Sequence, residues 1–516
     1  MKFTRTVTAL LLAGLLLPTV AACGGTIVTV GNKREDESDE DLTTELTTTA
    51  PVATTTPDRF PEKLPSSTVN FVEEGCQGED LIVNVAYVEG PVGAYVQRSL
   101  KADPLDESIV DLMTLERDHR LKMQIGLELR IEQVSSIDGM ESALGTALMA
   151  GTSEYDLLAG YQYYALGMAT KGYLLNLANL DQFDANYIDF EAPYWATAYN
   201  NAINPTGSYF WITGDLALNY LGGMYGTFVN TMLYGDKLES LYGSIYQIAR
   251  EGKWTMDLLT EMAAACYIDD GDIVNEPDSE DTYGFGYEKN DMIDALALGM
   301  GVLYTYTVSD TGETFFTFNN THSFDISDKI YTITHQSTSF EYADSDADNL
   351  MWAFADGKLM FTVNQLRQAE QYLAGRDDFV VVPVPKYDKD QTSYITPVHE
   401  GCTVFGITYC TPKVRQTAAA LEFLCAYNSR DAMPQYYETL LSKQFRREND
   451  APEMIDLIHG SATTDFGYAW SRSMSDLGHI YRECAKIESK DVKRKIIDWE
   501  TQLEEIHERL KIHSFN

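Results

Sequence analysis

The sequence predicts an α/β protein built as two α/β lobes, each visited more than once by the chain. Three observations carry this. Residues 81–159 read as strand, helix, strand, helix, strand, the pattern of a parallel sheet covered by helices. Further strand and helix blocks follow residue 214 and again residue 358, separated from one another and without an internal repeat. The chain has 516 residues, 44% of them hydrophobic, enough for two or three ordinary domains and a large core.

The elements follow in order. Leu81–Val88 (LIVNVAYV) is a short apolar β-type run, and a helical region follows around Glu107–Lys122. Leu127–Val134 alternates apolar and polar residues, as a half-buried strand does. Ser135 and Ser136 offer a cap for a helix striped by Ile137, Met140, Leu144, Ala147 and Leu148, which Gly151 ends. Tyr155–Ala159 is the third strand. Gly214–Asn230 reads as strand, turn and strand, and Thr255 caps a helix with Leu258, Leu259, Met262 and Cys266 on one face. Asp269–Asp281 is an acidic loop. Lys358–Val363, Phe379–Val384 and Cys402–Tyr409 are strands, and Thr411-Pro412 caps a helix striped by Val414, Ala418, Leu421 and Cys425. The chain closes on a long amphipathic helix striped by Val492, Ile496, Trp499, Leu503, Ile506 and Leu510, a face suited to packing on the domain surface.

The beginning of the chain sets the expected compartment. Residues 1–22 carry Lys2 and Arg5 ahead of a short apolar run, Val7–Leu17, and small residues before Cys23. That run is too short to cross about 30 Å of hydrocarbon, so it reads as a secretory signal. Its Val-Ala-Ala-Cys ending resembles the bacterial lipobox, which implies that Cys23 is lipidated and becomes the new N-terminus. Residues 23–68 are rich in acids, Thr and Pro and have little to bury, so they read as a tether. A net charge of −40 excludes nucleic acid as the main partner and disfavours peripheral docking on anionic lipid. Cys76, Cys266, Cys402, Cys410, Cys425 and Cys484 form no dense framework and no CxxC. Cys266 and Cys425 read as buried thiols, and whether Cys402 pairs with Cys410 stays open.

Catalytic signatures are missing: there is no GxSxG, HExxH, Walker loop or full GxGxxG. The run Asp344-x-Asp346-x-Asp348-Asn349 has the opening spacing of a calcium loop. It lacks the Gly and Glu that such a loop needs and reads as solvated, so no metal is expected. His399-Glu400, in a loop beside a strand, either binds a ligand hydroxyl or lies on the surface. With 78 Asp and Glu, a glycosidase-type carboxylate pair stays open, since three-dimensional separation decides it. The positive signal is aromatic: 32 Tyr, 21 Phe and 6 Trp, with clusters at Tyr161, Tyr163 and Tyr164, at Tyr209 to Trp211, and at Phe466, Tyr468 and Trp470. Such rings offer flat apolar faces with polar handles, suited to sugar C–H faces, although most of them are expected in the core.

Taken in order, residues 78–480 resemble the extracellular solute-binding proteins of the maltose-binding-protein family, the receptors of ABC importers. The resemblance rests on Asp156-Leu157-Leu158-Ala159-Gly160-Tyr161, on Lys171-Gly172-Tyr173-Leu174, and on Met224–Asn230 as an interlobe strand. It rests also on Lys253-Trp254-Thr255, on Phe354-Ala355-Asp356-Gly357-Lys358 as a crossover, on Val382-Pro383-Val384-Pro385, and on Ala418–Tyr427. Val229 replaces the usual Tyr of that interlobe strand, and the segment Tyr187–Gly222 is longer and more aromatic than the family pattern.

The resemblance implies a type II periplasmic-binding-protein-like fold, two α/β lobes joined by hinge strands, with no catalysis and no cofactor. Lobe 1 would hold 69–224 and 364–412, lobe 2 would hold 225–363 and 413–480, and 481–516 would be the C-terminal helix. The ligand cleft would draw on Tyr161, Tyr163, Trp211, Asp215, Asn364, Gln365, Glu400, Tyr468 and Trp470. The implied protein is a monomer anchored by lipid outside the cytoplasmic membrane. It would capture a sugar or oligosaccharide by hinge closure and deliver it to ABC permease subunits. The alternatives are a peptide or amino-acid receptor of the same class, a surface-anchored glycan-degrading enzyme, and a structural or adhesive lipoprotein.

Overall fold

The computed structural model of the protein describes residues 69–90, 95–102, 109–204, 206–271, 279–308, 314–318, 320–342, 347–437, 451–482 and 492–513. The expected signal (1–22), Cys23, the tether (23–68), Asp344, Asp346 and Cys484 lie outside these residues.

The strands that position the site are β1 (Ile82–Val88), β2 (Glu128–Gln133), β3 (Leu157–Tyr161), β4 (Tyr225–Asn230), β5 (Thr282–Tyr287), β6 (Leu359–Gln365), β7 (Phe379–Pro383) and β8 (Thr403–Ile407). They divide between two sheets. The first has the order β8-β3-β1-β2, with β1 parallel to both neighbours and β8 antiparallel to β3. Val85 lies opposite Ile131 on one side and Leu157 on the other, while Phe405 faces Ala159. The second sheet runs β7-β4-β6-β5, with β4 antiparallel to β6 and β7 and β6 parallel to β5. Every residue of β3, β4, β6, β7 and β8 is buried, as expected for strands covered on both faces.

Local chemistry explains the helix ends. The helix α1 (Ile109–Ile125) packs on β2, and α2 (Ile137–Ala150) follows β2 in the chain and buries Met140 and Leu144. Ser136 accepts from Gly139 N at 3.0 Å, and Gly151 ends α2 in the left-handed region at φ 69°, where a Cβ would strain the backbone. Thr255 caps α3 (Met256–Ala264), accepting from Leu258 N at 3.3 Å. In the second lobe, α4 (Asp291–Gly299) is buried from Met292 onward.

The structure corrects several expectations. The first half of Gly214–Asn230 is not a strand: Leu218–Gly222 is a helical turn leading into β4. That turn is held by Asn219, whose side chain donates to Gly401 O (2.8 Å) and accepts from Thr403 N (3.1 Å). Thr411 does not cap α5 (Val414–Tyr427) as expected: its hydroxyl accepts from Lys413 N and donates to Asp156 at 2.6 Å.

The two sheets take up the later strands in turn. The second sheet keeps β6 through Gln365, opposite Tyr225, and adds β7 on the far edge of β4, so the chain leaves that sheet only after Pro383. It joins the first sheet at β8, and α5 packs on β1, β8 and α1 rather than on the second sheet. The last return, Ala451–Gly460, packs on β7. β4 has a partner on both edges, and the motif at Phe354–Phe361 feeds β6, a central strand beside it.

Leu503, Ile506 and Leu510 of α6 (Val492–His513) are buried. Among the described residues no helix is long and apolar enough to cross a membrane. Cys76, Cys266, Cys402, Cys410 and Cys425 are free thiols, with Cys266 and Cys425 buried as expected.

Candidate functional site

The chain converges between the two sheets. Tyr161 ends β3, Tyr225 begins β4 and Gln365 ends β6, while the link at residues 398–402 carries His399 and Glu400 toward β8. Two further segments close on them, the start of α4 with Asp291 and Asp294, and residues 479–482 with His479 and Arg482.

Tyr161 meets the His399 ring edge-on at 6.3 Å, and His399 lies 6.4 Å from the Tyr225 ring. Gly401 permits this approach: a Cβ there would stand 2.7 Å from both the Tyr161 ring and His399 Nδ1. His399 Nδ1 accepts from Gly401 N at 2.9 Å, which leaves Nε2 to donate to Asp291 Oδ2 at 2.8 Å. Gln365 donates to Tyr225 Oη at 3.4 Å.

Arg482 is the electrostatic centre. Its Nε donates to Asp294 Oδ2 at 2.6 Å. Its Nη2 lies 2.9 Å from Asp291 Oδ1 and 3.9 Å from Glu400 Oε1, contacts of charge rather than aligned hydrogen bonds. Burial opposes ionisation of Asp291, but His399 and Arg482 outweigh it and hold that carboxyl below the ordinary range. Asp294 is buried more completely, and burial wins: it is pushed up to about 7 despite Arg482. His479 faces Glu400 at 2.8 Å. Burial alone would lower its pKa, but the hydrogen bond and charge of Glu400 leave it raised. Tyr163 lies nearly parallel to the His479 ring, 5.6 Å away, and donates to Asp476 at 2.6 Å.

Of the residues expected from sequence, Tyr161, Tyr163, Gln365, Glu400 and Tyr468 gather at this centre, Tyr468 lying 6.5 Å from His479. Asn364 is buried beside it, with its side-chain oxygen turned to Gln365 N at 2.8 Å. Three of the expected residues lie elsewhere. Trp211 is 1% exposed and packs against Gly406 of β8, inside the first lobe. Asp215 lies near α5, where Asn428 donates to its carbonyl at 3.2 Å, and burial pushes its carboxyl up to about 7. Trp470 donates from Nε1 to Ile203 O at 3.0 Å and packs on Phe466, so it ties two segments of the interior together. In each case a large or acidic side chain that looked like a ligand contact is core.

Sequence reasoning missed Asp291, Asp294, Tyr225, His479 and Arg482. The i, i+3 spacing of Asp291 and Asp294 at a helix start was the available signal, but it is common on surfaces. The centre is filled by these side chains: Tyr161, Tyr225, Gln365, His399 and Tyr468 are each less than a tenth exposed. Chemically it offers aromatic faces, carboxylates and imidazoles. The nearby Cys402 thiol is pushed up to about 12 by burial, which keeps it protonated.

No family model matches the chain, and no curated protein matches it. Solved structures do. A cyclo/maltodextrin-binding protein complexed with maltotetraose is 13% identical, covering 84% of this chain and 97% of its own, with a TM-score of 0.50. The galacto-N-biose-/lacto-N-biose I-binding protein of an ABC transporter from Bifidobacterium longum, in complex with lacto-N-biose, is 13% identical, with 84% and 98% coverage and a TM-score of 0.50. The sugar-binding protein MalE from Xanthomonas citri is 11% identical, with 84% and 98% coverage and a TM-score of 0.53. The chain therefore has the two-lobed α/β fold of the maltose-binding-protein-like solute-binding proteins.

Proposed function

We propose that this chain is the lipid-anchored, extracytoplasmic receptor of an ABC importer, and that it captures a sugar or oligosaccharide between its lobes. One observation carries the reading: rings and hydrogen-bonding groups from both lobes and from the link converge on one place. Tyr161 and Tyr163 come from the first lobe, Gln365 and Asp291 from the second, and His399 and Glu400 from the link. The similar structures hold maltotetraose and lacto-N-biose, which is why sugars come first. On this reading the receptor is a monomer, Cys23 carries the lipid, and permease subunits receive the solute. The lobes divide near Tyr225 and at the His399 link.

The mechanism is a population shift. A solute touching both lobes favours the closed state by its differential affinity for the two states. The test is a thermal-shift screen of the full-length chain against mono- and oligosaccharides, with peptides as controls. A binder at about 100 times its Kd should stabilise the fold by about 2.7 kcal/mol. If no sugar shifts the melting curve, the sugar assignment is lost. A sugar that shifts it but is cleaved on standing would identify an enzyme.

A second reading has its own observation. The centre contains a fixed set of charges, Arg482 among Asp291, Asp294 and Glu400, which suits the ionised ends of a peptide or amino acid. Stabilisation by peptides and not by sugars would select it.

A further inference from the structure

The C-terminal helix α6 reaches parts of the molecule that belong to different lobes. It packs on Leu166–Lys171, which follows β3, on Ser471–Met474, and on the short strand Thr314–Phe316. Under it lies a cavity of about 430 Å³, walled by α2, by the segment after β3, by residues 472–473 and by α6 itself. That volume falls within the range of small-molecule sites, about 300–1,000 Å³.

The charges in this space are not all spoken for. Lys171 is paired with Glu141 at 2.6 Å, and Arg509 stands 3.8 Å from Glu505. Arg472 has no carboxylate within ion-pair distance among the described residues. It lies instead over the Tyr164 ring, 4.5 Å from the centroid, which fixes the guanidinium plane and leaves its N–H edge free. Gln502 donates from Nε2 to Ser475 at 2.8 Å, but its Oε1 is buried without a partner. A buried acceptor left this way keeps its desolvation cost uncompensated, which a ligand hydroxyl would relieve. Asp138, Glu141 and Glu505 add carboxylate acceptors at the walls. The space thus presents one uncommitted cation and an excess of acceptors.

We propose that this cavity is a binding site for a hydroxyl-rich solute with a single carboxylate, an acidic sugar of the hexuronate class. The carboxylate lies against the Arg472 guanidinium edge, and a hydroxyl donates to Gln502 Oε1. The C-terminal helix is then a wall of this second site, which shares no lining residue with the centre around Tyr161, His399 and Glu400. This deepens the solute-receptor reading and rests on it for the ligand class.

The test is isothermal titration of the full-length chain with glucuronate and galacturonate, and with glucose and galactose as neutral counterparts. It is repeated on Arg472→Gln, Gln502→Ala and Glu400→Gln. Arg472 is exposed, so Arg472→Gln should keep the parent melting temperature. The expected result is uronate binding that weakens at least about tenfold in Arg472→Gln and measurably in Gln502→Ala, with neutral sugars binding much more weakly. Uronate binding unchanged in both variants would overturn the placement. Equal binding of glucose and glucuronate would overturn the anionic class. Neutral-sugar binding that depends on Glu400 but not on Arg472 would overturn this site and leave the receptor reading standing. Binding of neither kind of sugar would remove both.

Discussion

His399 donates from Nε2 to Asp291 Oδ2 at 2.8 Å, joining the link between the lobes to the first turn of a helix in the second lobe. The tautomer follows from the other ring nitrogen, which accepts from Gly401 N. Asp291 in turn faces Arg482, so a single carboxylate ties together the link, α4 and the last return of the chain.

Asp291→Ala should therefore destabilise the fold by about 3 kcal/mol, because Arg482 and His399 would be left without their shared partner. Urea denaturation should show a lower midpoint with an unchanged slope. A midpoint equal to the parent's would mean that water already satisfies Arg482.

Stability should fall as pH rises from about 5 to about 8. Asp215, Asp294 and Glu422 are pushed up to about 7 and Asp465 to about 6, each chiefly by burial. Between an unfolded value near 4 and those folded values, the native chain holds protons that the unfolded chain has lost, so rising pH costs stability. His479 works in the same direction. Its raised pKa gives stability that is full below about 6.5 and is lost as pH climbs through the folded value. Asp291 acts oppositely, but only below about pH 4. Melting temperatures across this range test the sign.

Glu422→Gln should flatten part of that slope. Glu422 Oε2 accepts from Trp195 Nε1 at 3.0 Å and its Oε1 accepts from the Tyr194 hydroxyl; the amide oxygen of Gln keeps the first contact, and its NH2 donates to Tyr194 Oη once that hydroxyl turns away. The variant should match the parent at about pH 5.5 and exceed it at about pH 8. An unchanged slope would show that Glu422 is ionised in the folded chain.

Trp211→Ala should cost about 3–5 kcal/mol in stability. Its buried indole packs on Gly406 within the first lobe, so the protein that remains folded should bind its solute normally. Lost affinity at full stability would return Trp211 to the cleft.

Gly401→Ala should destabilise by about 1–3 kcal/mol, since the new methyl would meet the Tyr161 ring and His399 Nδ1 at 2.7 Å. Calorimetry comparing it with Gly375→Ser, a position with open space around it, separates crowding from backbone effects. Gly375 has φ 83°, so that change carries backbone strain without a clash.

Much of the fold was legible because its signals are local. The alternation of Leu127–Val134, the cap at Ser136, the stop at Gly151 and the apolar runs at β1, β6 and β7 each act within a few residues. Which sheet each later strand joins was not legible in the same way. Whether β6 crosses between lobes or stays beside β4 depends on which strand edge is open, and that is a property of the assembled sheet.

The candidate site divides along the same line. Tyr161, Tyr163 and Glu400 stood out as polar or aromatic residues next to strand ends, and there they lie. Trp211, Asp215 and Trp470 carried the same local signature and are core, because composition does not reveal which side of a sheet a ring will cover.

By itself the sequence determined an α/β chain of capped helices and apolar strands, acidic overall, with more aromatic side chains than its strands alone require. Only the tertiary structure decided that Arg482 sits against Asp294, 188 positions away along the chain, and that His399 sits against Asp291. Charge interactions and burial depend on distance and packing in space. The groups that set the chemistry of the interlobe centre therefore acquired their partners only when the last return of the chain closed over the first.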